Sequence, residues 1–255
     1  MSQAVRTVDA DDAAVLRIEA LTKVLESGGA RFELQVPSLS FRRGRFYALV
    51  GRSGSGKSSM LDLLAMVSSP TTVGAYSLVA DGEVLDLAAI VRKGDDREIS
   101  RVRLRNFGYI LQSGGLFSFL TVRENLELPF MLAGRQPDHE ATRRLIELVD
   151  MTAQLDKKPS ELSGGQRQRV SILRALTLGP QIVLADEPTA AVDENLAATI
   201  VGELKRLAQS RGVTVIMVSH DLDLVRSFAD EIITLRPETV GPQASRTVVR
   251  QGVAV

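Results

Sequence analysis

The sequence contains no cysteine among its 255 residues. Disulfides, thiolate metal sites and catalytic thiols are therefore excluded, and the composition suits a reducing cytosol. The sequence also lacks an excess of charge of one sign, because 31 Lys and Arg side chains balance 31 Asp and Glu side chains. Charge therefore gives no reason to expect nucleic acid or an anionic membrane surface as a partner.

Long hydrophobic runs are missing as well. No segment approaches the roughly 18 consecutive apolar residues of a membrane-spanning helix, and the N-terminus lacks the basic start and apolar run of a secretory signal. We therefore expect a chain that does not cross a membrane. If it powers transport, the pore belongs to another polypeptide.

A glycine-rich loop is the first motif that carries chemistry. Residues 51–58 fit the phosphate-loop pattern G-x-x-x-x-G-K-S/T, and they lie between a strand-like run at 46–50 and apolar residues at helical spacing. Glycines let backbone N–H groups converge on phosphates, and the helix start adds partial positive charge. We expect Lys57 on the β- and γ-phosphates of a nucleotide and Ser58 on Mg²⁺. The nucleotide-binding residues predicted here are Gly51, Arg52, Ser53, Gly54, Ser55, Gly56, Lys57, Ser58 and Ser59.

A second motif is an apolar run at 182–185 that ends in two carboxylates, Asp186 and Glu187. A strand that delivers carboxylates beside a nucleotide suits a hard cation such as Mg²⁺. The segment alone is also compatible with a strand that ends in a solvated acidic turn. Its spacing from the other motifs favours the metal-binding interpretation.

The third motif is the pentapeptide Leu162-Ser163-Gly164-Gly165-Gln166. Ser163 can cap the following helix or offer its hydroxyl to a phosphate, and the two glycines leave backbone N–H groups open at the helix start. The pentapeptide therefore predicts a second anion site. Spacing does not decide whether both sites of one nucleotide come from the same chain.

With the phosphate loop before it and the acidic strand end after it, this pentapeptide resembles the signature of ATP-binding-cassette (ABC) ATPases. The resemblance covers roughly residues 15–236. It implies an α/β fold: a P-loop NTPase core with a mainly parallel sheet, an N-terminal antiparallel β subdomain and an inserted helical subdomain at about 113–178. We expect a disordered tail at 1–14, and a tail or edge strand at 237–255.

The resemblance also assigns roles to single residues. Asp186 orders the Mg²⁺ shell, and Glu187 polarises the water that attacks the γ-phosphate. Gln112 matches the Q-loop glutamine, which reaches the metal or the attacking water. His220 matches the histidine that contacts the γ-phosphate, so the expected cofactors are ATP and Mg²⁺.

In the family, two ATP molecules lie between paired cassettes arranged head to tail. Carried over, Ser163 and Gly165 of one copy face the ATP held by Lys57 of the other, with Gly164 and Gln166 in the same binding set. Asp193 matches the conserved position of the D-loop and joins this set. Hydrolysis then opens the dimer and supplies the power stroke.

Two positions depart from the family pattern. Leu25 stands where an aromatic residue usually stacks on adenine, so selectivity for adenine is expected to be weaker or the ring to come from elsewhere. The D-loop reads Ala190-Ala191-Val192-Asp193, and its first positions lack polar side chains for bonds across a dimer. The charged run Lys93-Gly94-Asp95-Asp96-Arg97 is predicted to be a solvated loop.

Residues 108–112 and 120–130 are similar to the bacterial cassettes of lipoprotein-release and macrolide-export systems. This branch implies a location at the cytoplasmic face of the inner membrane, permease partners and a possible periplasmic adaptor. The favoured function is an envelope exporter or a lipid and lipoprotein extractor. An apolar set either packs inside the helical subdomain or receives a permease helix: Leu116, Phe117, Phe119 and Leu120.

Other functions are weaker alternatives. An ATP-gated regulatory switch would signal to a membrane partner without transport. DNA-repair ATPases of the family carry a coiled-coil insertion that is missing here, and translation-factor types carry two cassettes. Ser219, His220 and Asp221 are adjacent in the sequence, and adjacent side chains rarely align as a hydrolase triad.

Overall fold

The computed structural model describes residues 14–190 and 192–254. Of the tail expected at 1–14, residues 1–13 lie outside the described residues, as does Ala191 of the D-loop, whereas Ala14 belongs to the first strand. Within the described part, no helix is both long and apolar enough to cross a membrane.

The first half of the chain builds an antiparallel hairpin and the strand that leads into the phosphate loop. The hairpin turns at Gly28 and Gly29, which have φ values of 58° and 80°, a region where glycine carries no steric penalty. The elements in chain order are β1 (Ala14–Ser27), β2 (Ala30–Arg42), β3 (Phe46–Gly51), α1 (Lys57–Leu64), β4 (Ala75–Ala80), β5 (Glu83–Asp86), α2 (Leu87–Lys93), α3 (Asp96–Asn106) and β6 (Phe107–Ile110).

The sequence predicted a solvated loop at the charged run 93–97, and this prediction is wrong. Helix α2 ends at Lys93 and α3 begins at Asp96, so only two residues separate them. Gly94 closes α2 in the left-handed conformation, and the Asp95 carboxylate accepts hydrogen bonds from the first N–H groups of α3. The helix escaped prediction because it is charged on most of its surface and presents little apolar periodicity.

The second half contains most of the helices. The capping role predicted for Ser163 is confirmed, and the side chains of Thr121, Asp138, Asp193 and Asp221 likewise cap the helices that follow them. Two short 3₁₀ turns, Thr152–Gln154 and Pro159–Glu161, precede the signature. The other elements are α4 (Val122–Leu132), α5 (His139–Leu148), α6 (Gly164–Leu176), β7 (Ile182–Asp186), α7 (Glu194–Arg211), β8 (Thr214–Val218), α8 (Leu222–Phe228), β9 (Glu231–Gly241) and β10 (Ala244–Ala254).

The strands of the described residues form one ten-stranded sheet in the order β5-β4-β1-β2-β10-β9-β3-β8-β7-β6. Strands β9, β3, β8, β7 and β6 are parallel neighbours, whereas β1 is antiparallel to both β2 and β4. The α/β class with a parallel core and an antiparallel N-terminal part is confirmed. Because the carboxyl ends of parallel strands meet at one edge, the segments after β3, β8, β7 and β6 converge there.

Strand β10 corrects the expectation of a tail or edge strand at the C-terminus. It lies inside the sheet, antiparallel to β9 and parallel to β2, with Ala244 opposite Arg31 and Val248 opposite Gln35. The sequence did not predict this position, because pairing between residues about 200 positions apart leaves no local pattern.

Two hydrophobic clusters cover the faces of the sheet, and β3 contributes to both. Tyr47 and Leu49 belong to the first cluster, and Phe46, Ala48 and Val50 to the second. This alternation is the period of a strand buried on both faces.

Helices α1 and α6 are held against the sheet by specific contacts. The buried Tyr76 hydroxyl donates to the Leu64 carbonyl at 2.7 Å and satisfies one of the free carbonyls at the end of α1. Gly108 of β6 touches α6: a Cβ built on it would lie 2.2 Å from the Ala175 carbonyl oxygen. The phosphate-loop helix and the signature helix are both fixed to the sheet in this way.

Candidate nucleotide-binding site

The phosphate loop connects β3 to α1, as the motif predicts. Gly54 and Gly56 have φ values of 74° and 89°, which only glycine adopts without strain. The Lys57 ammonium folds back over the loop and donates to the carbonyls of Gly51 and Arg52, each at 3.1 Å. The lysine is therefore already positioned over the curve of the loop.

The ammonium and hydroxyl groups of this loop suit the binding of an anion. Lys57 is only 6% exposed, and burial lowers its pKa, although the carboxylates of Glu187 and Asp186 act in the opposite direction. The Ser55 hydroxyl is buried and has no hydrogen-bond partner. A buried cation that bonds only to carbonyls, beside an unpartnered hydroxyl, is the environment that a polyphosphate would complete.

Asp186 ends β7 next to the phosphate loop. Burial raises the pKa of its carboxyl group, while a hydrogen bond from the Ser58 hydroxyl lowers it. No group of three or more carboxylates and histidines that could hold a metal is found among the described residues. Ser58 and Asp186 offer oxygen atoms of the kind that Mg²⁺ prefers, and this ion usually takes its other ligands from phosphate oxygens and water.

Three strand ends bring Gln112, Glu187 and His220 together. The Glu187 carboxylate contacts His220 Nε2 at 2.6 Å through Oε1 and accepts a hydrogen bond from Gln112 Nε2 at 3.3 Å through Oε2. Glu187 has a φ of 45°, which is unusual for a residue with a side chain and marks functional positions. Its backbone N–H donates to the Val218 carbonyl at 3.2 Å, so β8 helps to hold this conformation.

The signature pentapeptide caps helix α6. The Ser163 hydroxyl accepts from the Gln166 N–H at 3.2 Å, and the Gln166 side chain accepts from the Ser163 N–H at 2.9 Å. Ser163 and Gly164 are exposed, whereas Gly165 is buried: a Cβ on it would lie 2.5 Å from Leu196 Cδ2. Gly165 therefore packs closely against Leu196 of α7, while Ser163 and Gly164 are open to solvent.

A cavity of about 410 Å³ runs along the phosphate loop. Its lining includes Glu187 and His220 as well as Leu25 and Phe32. The signature residues, all within the described part of the chain, are not among those that line it. Asp193 does not line the cavity either. Its carboxylate accepts a hydrogen bond from the Leu196 N–H at 3.0 Å and caps α7.

Sequence reasoning missed Phe32, which lines this cavity, and Asp62 of α1. Asp62 lies one helical turn after Ser58 and accepts a hydrogen bond from the Tyr109 hydroxyl at 3.1 Å. The spacing of four residues on α1 was a signal for Asp62. Phe32 faces Leu25 across the β1–β2 hairpin; counting outward from the turn at Gly28 predicts this pairing, but not the position of the ring over Gly56.

Comparison with known proteins agrees with this geometry. The family model described as "ABC transporter" matches residues 34–190. An uncharacterized ABC transporter ATP-binding protein of Methanocaldococcus jannaschii, MJ0796, is 36% identical over 230 residues, which cover 87% of this chain and 93% of the relative. The macrolide export ATP-binding/permease protein MacB of Brucella melitensis is 39% identical over 88% of this chain, which spans only 33% of that relative's length.

Solved structures give the same result. The dimeric post-hydrolysis state of the MJ0796 cassette, bound to ADP and Pi, has a TM-score of 0.72 and 33% identity over 87% of this chain and 94% of that one. The cbiO1 structure from Clostridium perfringens, at 23% identity and a TM-score of 0.73, covers 94% of this chain and 88% of its own and supports the fold alone. The chain therefore belongs to the ABC transporter family, in which it is the ATP-binding cassette, an ATPase that works with ATP and Mg²⁺.

Proposed function

We propose that this chain hydrolyses ATP as a head-to-tail dimer at the cytoplasmic face of the plasma membrane and thereby drives a separate membrane permease. The observation that carries the proposal is the position of the Glu187 carboxylate. It lies between Gln112 and His220, in the same cavity as Lys57. A carboxylate in this position can accept a proton from a water molecule that attacks the terminal phosphate.

Each side chain of the site then has its own role in ATP hydrolysis. Lys57 and the loop N–H groups bind the β- and γ-phosphates, and Ser58, Asp186 and Gln112 hold Mg²⁺, which neutralises phosphate charge when bound. Glu187 orients and deprotonates the attacking water. His220 fixes the Glu187 carboxylate and contacts the γ-phosphate.

A second copy of the chain completes the site. The first N–H groups of α6 have no intrahelical partner, and the exposed Ser163 and Gly164 lie outside the cavity of their own chain. Such a helix start binds an anion well. In the dimer, the signature of one copy closes over the nucleotide in the phosphate loop of the other.

Mixing two inactive variants tests this shared site. Lys57→Ala and Ser163→Arg should each abolish hydrolysis, because every site of either homodimer lacks one half. In a 1:1 mixture, heterodimers contain one intact site, so about a quarter of the wild-type ATPase rate should return by random pairing of symmetric subunits. Ser227→Arg, at an exposed serine of α8, should retain full activity. A mixture as inactive as its components would refute the shared site.

The surface that would receive the permease has two parts. In the apolar set named above, Leu116 packs against the second hydrophobic cluster, whereas Phe117 and Phe119 are 43% and 70% exposed. The buried Asn125 holds their loop: its side chain accepts from the Phe117 N–H and donates to the carbonyls of Phe117 and Thr121. The two rings are therefore presented outward by a fixed loop.

The second part is a groove of about 790 Å³ between α3 and the end of α4. Arg97, Arg101 and Arg105 line it from α3, at spacings of four residues that place them on one helix face. Leu132 and Arg135 line it from the other side, and Leu132 is 69% exposed. An amphipathic permease helix with acidic side chains would match this surface in polarity and charge.

Charge substitutions test the docking surface. Phe119→Glu and Arg101→Glu should each release the cassette from its permease and abolish stimulation of hydrolysis by it, while ATP binding by the isolated chain stays unchanged. Val84→Glu, at a 55% exposed apolar position on the edge strand β5, is the matched control. Binding can be measured by co-purification from membranes. If Phe119→Glu and Arg101→Glu weaken ATP binding as much as docking, the assignment fails.

The similarity to macrolide-export proteins supports an exporter or a lipid and lipoprotein extractor as the complete system. We propose a periplasmic adaptor as a further subunit of such a complex. Identifying the subunits that co-purify with this chain from native membranes tests the assignment: a permease with a large periplasmic domain and an adaptor would support export.

A further inference from the structure

We propose that Phe32, together with a second cavity beside it, binds the purine base of the nucleotide. The proposal rests on the proposed function, since it concerns the same site. Leu25 offers no ring for stacking, and the aromatic side chain that lines the cavity with the phosphate loop is that of Phe32 on β2. The two side chains face each other in the register of the β1–β2 hairpin.

Phe32 lies against the phosphate loop. A Cβ built on Gly56 would be 2.8 Å from Phe32 Cζ, so the ring covers the glycine that precedes α1. The ring is only partly buried and lines the same cavity as Lys57. If the terminal phosphates of a nucleotide contact Lys57, its ribose and base would therefore extend from the phosphate loop across this ring.

A second cavity of about 420 Å³ continues from this point and shares Leu25 and Phe32 with the first. Its far wall is the turn between β9 and β10, including Pro242 and Gln243. The Arg31 N–H donates to the Gln243 carbonyl at 2.8 Å, which fastens this turn to the N-terminal hairpin. The cavity thus has fixed walls on both sides.

The chemistry of the two cavities suits successive parts of a nucleotide. The first contains the cation and the glycine loop, which bind phosphates. The second is lined by the apolar side chains of Leu25 and Phe32 and by polar side chains, among them Thr239, Gln243 and Ser245. An apolar ring face with convergent polar groups is typical of a site for a flat heteroaromatic base.

Stacking on an aromatic side chain tolerates different bases, because every base has a π-face. Phe32 should therefore contribute similarly to the binding of ATP and GTP. Loss of the ring is expected to weaken both by about 10- to 100-fold, the usual range for one base–aromatic contact.

The test separates the base from the phosphates. Dissociation constants for Mg-ATP, Mg-GTP and Mg-tripolyphosphate are measured for the wild-type chain, Phe32→Leu and Phe32→Trp. Phe32→Leu keeps an apolar side chain against Gly56 but removes the ring, so both nucleotides should weaken by at least about 10-fold while tripolyphosphate changes by less than about twofold. Phe32→Trp should restore nucleotide affinity. Val84→Ala on β5 is the control and should change nothing.

Equal weakening of nucleotides and tripolyphosphate would overturn the proposal, because Phe32 would then only support the loop. Unchanged nucleotide binding in Phe32→Leu would overturn it as well. Photo-labelling of the wild-type chain with 8-azido-ATP gives a test that needs no variant: label should appear at residues 25–32 or 239–245, and label only elsewhere would refute the site. A wild-type chain that binds neither ATP nor tripolyphosphate would instead refute the proposed function.

Discussion

Glu187→Gln is expected to lower ATP turnover by about 100-fold or more, the scale for loss of a positioned base, and to leave ATP affinity nearly unchanged. The amide has the same shape as the carboxylate and can still contact Gln112 and His220. It cannot accept the proton of the attacking water. Because the closed dimer opens through hydrolysis, the variant should accumulate as an ATP-bound dimer.

Steady-state ATPase rates, nucleotide binding and size-exclusion chromatography with and without ATP measure these effects. Glu83→Gln, at an exposed carboxylate on the edge strand β5, is the control and should hydrolyse ATP normally. Near-normal hydrolysis by Glu187→Gln would remove Glu187 from the catalytic role. A parallel loss of ATP affinity would mean that the carboxylate supports the binding site instead.

Gly108→Ala is expected to cause a large loss of folding stability. The new methyl group would lie 2.2 Å from the Ala175 carbonyl oxygen and 3.2 Å from Pro180 Cγ, and backbone atoms cannot move away as the end of a flexible side chain can. We expect the free energy of unfolding to fall by about 3 kcal/mol and the melting temperature by roughly 6–12 °C. Calorimetry or thermal denaturation followed by circular dichroism measures both.

Gly202→Ala is the matched control for this change. Gly202 lies inside α7, and a Cβ there would meet Phe228 Cε1 at 3.5 Å, an ordinary contact. Alanine favours helix over glycine by about 1 kcal/mol, so this variant should be as stable as the wild type or more stable. If both variants melt at the wild-type temperature, the contact between β6 and α6 is not as tight as the structure shows.

The motifs could be predicted because each depends on residues that lie close together in the sequence. The phosphate loop needs glycines at fixed positions between a strand and a helix, and this context is visible in the sequence. Ser163 and Gln166 form a capping box because they lie three residues apart at a helix start. The approach of Gln112 and His220 to Glu187 followed from the family resemblance, which aligned strand ends that are distant in the chain.

What could not be predicted depends on packing between distant segments. The sequence indicates that Gly165 is small, but the contact with Leu196 requires the angle between α6 and α7. In the sequence, Phe32 is one aromatic residue in a strand. Its contact with the phosphate loop could not be predicted, because it depends on the position of β2 over Gly56. Strand β10 has a recognisable β-pattern in Thr247, Val248 and Val249, yet its place between β2 and β9 depends on pairing across the whole chain.

The interior position of β10 has a consequence for biosynthesis. Within the described sheet, the strands β5, β4, β1 and β2 are connected to the parallel strands by backbone pairing through β10, although β1 and β2 are synthesised long before it. During translation, the N-terminal hairpin must therefore wait, with one edge unpaired, until residues 244–248 emerge. A chain that ends before that point would lack Ala244 and Ser245, which line the second cavity beside Phe32.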